Sequence, residues 1–273
     1  MKIVLMSLVA LLGITAAANA QHRFLGLRTG DEFKRRIFSS STCVLQRGDQ
    51  VLNFTSHADI QKTYIVTGTD STGFSVNVNT DRIIDTLNAM GGQIVYNTDM
   101  PADTTSSIEQ SLKYITGKEA SVNVSINHNG YIIAASRTLP AYGNNTTLAF
   151  TGLQPEEYVK GADWGLTADI PYSAAYKQGL TWADSVKSNN FKRVSTFKID
   201  NAGGNTLTIS FSTTINETNF NSSINGVLVM DINSGLVLNR QMQAVSIGYE
   251  VVNGTVYSAT RRSAVAESCY QSK

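Results

Sequence analysis

The stretch NTLTISFST, Asn205 to Thr213, sets Leu207, Ile209 and Phe211 against Thr206, Thr208, Ser210 and Ser212. Successive side chains of a strand point to opposite faces, so this order describes a strand with one apolar and one polar side. The same alternation returns in Phe74, Val76 and Val78 against Ser75 and Asn77, and in Val122, Val124 and Ile126 against Ser121, Asn123 and Ser125. It is the pattern of antiparallel strands with one buried and one wetted face. Working outward, each run ends in residues that tolerate tight turns. These are RGD at 47–49, TDSTG at 69–73, HNG at 128–130, NAGG at 201–204, NG at 225–226, NSG at 233–235 and NG at 253–254. Gly and Asn reach the positive φ of hairpin loops without the strain a larger side chain meets. The spacing predicts a mostly β protein, an antiparallel meander of about twelve strands forming a curved sheet or open barrel, with one or two short helices.

Two stretches interrupt the alternation. In residues 101–119, Ser106 and Glu109 have capping-box spacing, Ile108, Leu112 and Ile115 share one helical face, and Gly117 can end the helix. The prediction is a helix near 105–116. Residues 139–182 carry three of the four prolines and both tryptophans, and read as a long connection packed over the sheet. This divides the chain into an N-terminal β half at 21–138, the connection at 139–182 and a C-terminal β half at 183–273. The glycine-led segments GGQIVYNTDM (91–100) and NGVLVMDINSG (225–235) both run through apolar residues to an aspartate. Their matching place in the order of parts suggests two similar halves.

Residues 1–20 have the three parts of a secretory signal peptide: Lys2, an apolar run from Ile3 to Ile14, and Ala18-Asn19-Ala20 as cleavage site. Cleavage after Ala20 would leave an extracytoplasmic protein, periplasmic or secreted, starting at Gln21. No later segment has the length of a membrane-spanning helix. Removing Lys2 from the 22 basic residues leaves 21, against 21 acidic ones, so the processed chain is neutral. A nucleic-acid-binding protein shows a basic excess. Here the short runs at 34–36, 192–193 and 261–262 read as solvated sheet edges, and nucleic acid is not expected.

Motifs for chemistry are sparse. His22, His57 and His128 lack the spacing of a metal site, and no catalytic serine elbow or phosphate-binding glycine loop occurs. Neither a catalytic residue, a metal nor a cofactor is expected. Cys43 and Cys269 are the two cysteines of an exported chain and are predicted to form a disulfide. Glu156, Glu157, Asp163 and Asp169 beside Trp164 offer an alternative, a hydrolase using 156–182, since carboxylates carry acid–base work and aromatics stack on sugars. A second alternative is an outer-membrane β-barrel, although the chain ends in CYQSK without the terminal aromatic such barrels carry. The leading expectation is a non-enzymatic protein that binds an apolar small molecule, a lipid, or a cell-envelope partner. Apolar faces curving toward each other would enclose either a packed core or a greasy cavity, with Phe24, Phe74, Tyr96, Phe197 and Phe211 lining it.

The order LRTGDEFKRR (27–36), GGQIVYNTDMP (91–101), KGADW (160–164) and INGVLVMDINSGLV (224–237) resembles an extracytoplasmic family of unknown function common in Bacteroidota. The resemblance spans nearly the whole processed chain. It implies location and a β-rich fold, and brings no catalytic residues. Gln21 stands where many members carry a lipidated cysteine. The layout is also similar to that of periplasmic lipoprotein carriers, in which a curved sheet covered by helices holds acyl chains.

Overall fold

The computed structural model describes residues 25–89, 91–101, 121–136, 158, 160–161, 163–167, 170, 176–188, 191–252 and 254–272. The predicted helix near 105–116, His22, Phe24, Glu156, Glu157 and Asp169 lie outside them. Twelve strands follow in order: β1 Glu32–Arg47, β2 Gln50–Thr69, β3 Gly73–Ala89, β4 Gly92–Asn97, β5 Val122–Asn127, β6 Ile132–Ala135, β7 Thr181–Ser188, β8 Phe191–Gly203, β9 Thr206–Glu217, β10 Phe220–Asp231, β11 Val237–Val252 and β12 Thr255–Gln271. The described residues contain no helix.

All twelve strands are antiparallel and belong to one sheet, ordered β6-β5-β3-β2-β1-β12-β11-β10-β9-β8-β7, with β4 on the upper half of β3. The first and last strands pair over their length, from Phe33↔Gln271 to Gln46↔Ser258. The meander is therefore sealed where its chain ends meet and open in mid-sequence, between β6 and β7. A membrane barrel must close to pair every backbone group. The described strands do not close.

Local chemistry accounts for the joints. Gly48-Asp49 is a two-residue hairpin loop with Gly48 at φ 58°, and Gly254, at φ 75°, lies in the turn beyond the last β11–β12 pair, Val252↔Thr255. Asp231 organises the β10–β11 turn: its Oδ1 accepts the Asn233 N–H, and its Oδ2 accepts the Ser234 N–H at 3.0 Å and hydroxyl at 2.6 Å. The expected turn at Asn225-Gly226 is instead the middle of β10. A Cβ on Gly226 would lie 2.6 Å from the Phe211 ring and 2.5 Å from the Gln241 carbonyl. Glycine is needed there for close approach, not for a bend. Gly91, by contrast, is a turn residue at φ 81° with open space around it. The two glycine-led segments thus occupy unlike places, one starting an edge strand and one crossing the sheet interior.

One face of the sheet carries the apolar positions, in four clusters. Leu207, Ile209, Leu228, Met230 and Ile199 form one, covered by Ile170 and flanked by Tyr176 and Leu180. Phe33, Tyr64, Val66, Val76 and Ile126 form another, covered by Leu25, Tyr158, Trp164 and Leu166. Phe74 joins that cluster, and Tyr96 packs in a third with Ile37, Ile60 and Ile83. The fourth joins Leu45, Phe54 and Leu87 to Tyr257. The connecting segment straps the two halves together. Trp164 N–H donates to the Gly130 carbonyl, Val237 N–H donates to the Leu166 carbonyl, and Thr167 forms a bridge with Leu236.

This apolar face also holds charge. Arg35 is 4% exposed and pairs with Glu267 at 2.9 Å, and Glu267 reaches Arg240 at 3.5 Å. Arg35 was expected at a solvated edge. Alternation sends it inward and Arg36 outward. The predicted Cys43–Cys269 bridge is not formed, and both thiols are free and buried. Cys269 pairs with Arg35 whereas Cys43 pairs with Arg261, so eight steps of β1 separate them, about 26 Å at the rise of a strand. A disulfide needs Cα atoms within about 7 Å. Burial pushes the Cys43 thiol up and the Cys269 thiol to about 11.

Candidate functional site

The opposite face builds a large cavity, about 1580 Å³ in volume. Its wall consists of two rows of side chains running straight across nine strands in register. One row is Ile84, Asp59, Phe38, Ala266, Gln241, Val227, Ser210, Lys198 and Thr181. The next is Thr86, His57, Ser40, Ala264, Gln243, Asn225, Ser212, Thr196 and Ala183. Nine strands laid flat would separate β3 from β7 by about 38 Å at the usual strand spacing. Both line one cavity, so the sheet curls with this face inward, making a trough.

Bulges supply the curl. One extra residue sits at Asp81 in β3, at Asp200 in β8 and at Leu238 in β11. Each lies within three residues of a lining side chain: Ile84, Lys198 and Gln241. A bulge bends its strand and increases local twist. The three together turn the sheet around the cavity. Asp200 also anchors Lys198, 3.2 Å from its Nζ, and the Ser210 hydroxyl, then Lys198, hold the Asp200 carboxyl below its usual range.

The expectation of a greasy cavity between apolar faces is corrected. The apolar faces pack into clusters, and the cavity takes the alternate, wetter positions. Phe38, Val227 and Val245 remain 40–44% exposed on its wall among hydroxyls, amides, His57 and Lys198. Of the five aromatic residues predicted to line it, Phe197 and Phe211 border it from the row between the two wall rows, and they pack, with Trp182 stacked on Phe197 at 5.1 Å, against the apolar cluster of β8–β10. Phe74 and Tyr96 do not border it. The wall is amphipathic.

The wall's charge is concentrated at β1–β3. Arg36 donates from Nε and Nη2 to both oxygens of Asp59, at 3.0 and 2.8 Å, which also raises the pKa of its guanidinium. That guanidinium lies over the Phe38 ring, 4.2 Å from its centre. Arg82 donates to Asp59 at 3.3 Å and to Asp99 at 2.7 Å. None of these ion pairs was legible in advance, because each joins residues 17 or more apart in sequence.

Of the residues a hydrolase at 156–182 would use, Asp163 and Trp164 are among those described. Asp163 accepts the Gly165 N–H and the Thr167 hydroxyl, so it shapes the strap. Trp164 is 2% exposed and packs edge-on against Tyr64. It offers no platform for a sugar. His128 sits in the β5–β6 turn against Phe74, and His57 on the cavity wall, across the sheet.

No family model and no curated protein matches the chain. Among solved structures, the chain is similar to lipovitellin, in a structure described for its lipid–protein interactions, at 10% identity and a TM-score of 0.51. The match covers 89% of this chain and 25% of that one, so the chain spans about a quarter of lipovitellin's length. An outer membrane channel from Pseudomonas putida F1 aligns over 90% of this chain and 98% of its own, at 7% identity and a TM-score of 0.26, too low to carry an argument. The likeness to lipovitellin is one of fold. It agrees with the β-rich architecture that the Bacteroidota resemblance implies, and adds no family.

Proposed function

We propose that this is an extracytoplasmic, non-enzymatic binding protein whose trough holds a long amphiphile, a lipid or another molecule with an apolar chain and a polar end. The observation that carries the reading is the cavity itself, about 1580 Å³ with apolar and polar side chains interleaved on one wall. Pockets for compact metabolites are smaller, about 300–1,000 Å³. A long flexible ligand suits a trough spanning nine strands. The fold shared with lipovitellin supports the same class of occupant. The use of Asp163 and Trp164 in the strap takes both away from the roles a hydrolase at 156–182 would give them.

Native mass spectrometry of protein purified from its own source without detergent tests this. A stoichiometric adduct of lipid mass is expected. A bare chain that also fails to take up a fluorescent fatty acid would overturn the reading.

A further inference from the structure

Immediately below the lower cavity row, Arg82, Gln61 and Arg36 lie side by side across β3, β2 and β1. The two guanidiniums converge on Asp59, and both reach solvent, with side-chain exposures of 46% for Arg36 and 30% for Arg82. Neither fork is used up: among the described residues, Nη1 of Arg36 and Nη2 of Arg82 donate to no protein group. Asp59 and the Phe38 ring hold the Arg36 plane in place before any ligand arrives. In the other direction along the trough, β11 presents a run of exposed apolar side chains. From Val245 at the cavity, β11 continues on the same face through Ile247, Tyr249 and Val251, 57–63% exposed, with Val256 opposite Val251. Arg262, opposite Val245, is the one charged residue facing this stretch from β12. From Arg36 to Thr42, opposite Arg262, is six steps of β1, about 20 Å, the length of a long acyl chain.

Resting on the binding reading above, we propose that the ligand is an anionic single-chain amphiphile held in one orientation. Its carboxylate or other anionic head accepts hydrogen bonds from Arg36 and Arg82 beside Asp59, and its chain runs past Phe38 and Val227 toward Val245 and Ile247. Paired guanidinium forks match the planar geometry of a carboxylate, which a lone ammonium such as Lys198, already held by Asp200, does not.

The test compares a pyrene-labelled long-chain fatty acid with its primary alcohol and its trimethylammonium analogue, on the full chain and on Arg36→Met/Arg82→Met. The acid should bind wild type about tenfold or more tighter than the alcohol, the difference a charge-assisted hydrogen bond makes. The double variant should bind both alike, and Arg262→Met should keep the preference. Equal binding of acid and alcohol by wild type overturns the inference and leaves the binding reading standing. So does a preference that Arg262→Met removes and the double variant keeps. Displacement of the acid by inorganic phosphate alone would mark a free-anion site and also overturn it. If none of the three probes binds wild type, the binding reading itself fails.

Discussion

Asp85 should make this fold more stable in acid than at neutral pH. The residue lies in β3, 3% exposed, on the apolar face opposite Tyr96 of β4. Its Oδ1 accepts a hydrogen bond from the Ser56 hydroxyl at 2.7 Å, and Ser56 is fully buried. Burial pushes the carboxyl up from 3.8 to about 6, outweighing the opposing effects of Ser56, His57 and the Thr86 N–H. The folded chain therefore holds this proton more tightly than the unfolded chain. Stability from the group is fully present below about pH 4 and is lost as pH rises through about 6. Conversion at 1.36 kcal/mol per decade makes the loss about 3 kcal/mol. Asp85→Asn keeps an acceptor for Ser56 and removes the charge. It should raise stability by about 2–3 kcal/mol above pH 7 and leave it within about 0.5 kcal/mol of wild type near pH 4. Urea unfolding of both proteins across this range gives the difference directly, and cancels the other carboxylates. A wild-type-to-variant difference that stays flat from about pH 4 to pH 8 would refute the reasoning, because Asp85 would then titrate alike in both states.

Three further outcomes follow from the same geometry. Glu267→Gln removes the carboxylate that Arg35 and Arg240 share on the apolar face and should cost about 3–5 kcal/mol in urea unfolding; a loss under about 1 kcal/mol would mean that solvent already screens the pair. Gly226→Ala should cost about 1–3 kcal/mol, because its Cβ meets the Phe211 ring and a neighbouring carbonyl, whereas Gly91→Ala should cost only the roughly 1 kcal/mol of its left-handed backbone. Equal costs at the two glycines would contradict the close approach seen at Gly226. Cys43 and Cys269 should be unreactive in the folded protein and should both titrate with a thiol reagent after denaturation without reductant, whereas two silent thiols would reinstate the disulfide.

Much of the fold was legible because strand alternation is a local property. Leu207, Ile209 and Phe211 announce one face of β9 without reference to any other strand, and Gly48-Asp49 and Asn253-Gly254 announce their hairpins in two residues. What failed was nonlocal. Asn225-Gly226 has the composition of a turn, and only the ring of Phe211, brought alongside by pairing, explains a glycine in mid-strand. The disulfide rested on cysteine count and compartment, which say nothing of register; the β1–β12 ladder then placed the two thiols eight steps apart. The candidate site was hidden for the same reason. Arg36, Asp59, Arg82 and Asp99 are unremarkable charges in sequence, and three paired strands with the turn after β4 make them one cluster.

By itself the sequence determined the strands, their two faces and most of their turns, since each depends on neighbours within a few residues and on the period of two. Only the tertiary structure decided which face curls inward. An alternating strand has an apolar side and a polar side whichever way its sheet bends, and the bend here comes from single extra residues at Asp81, Asp200 and Leu238 that leave no mark on composition. Curvature placed the wetter face around the cavity and left the apolar face to pack into clusters, which is why the cavity is amphipathic rather than greasy.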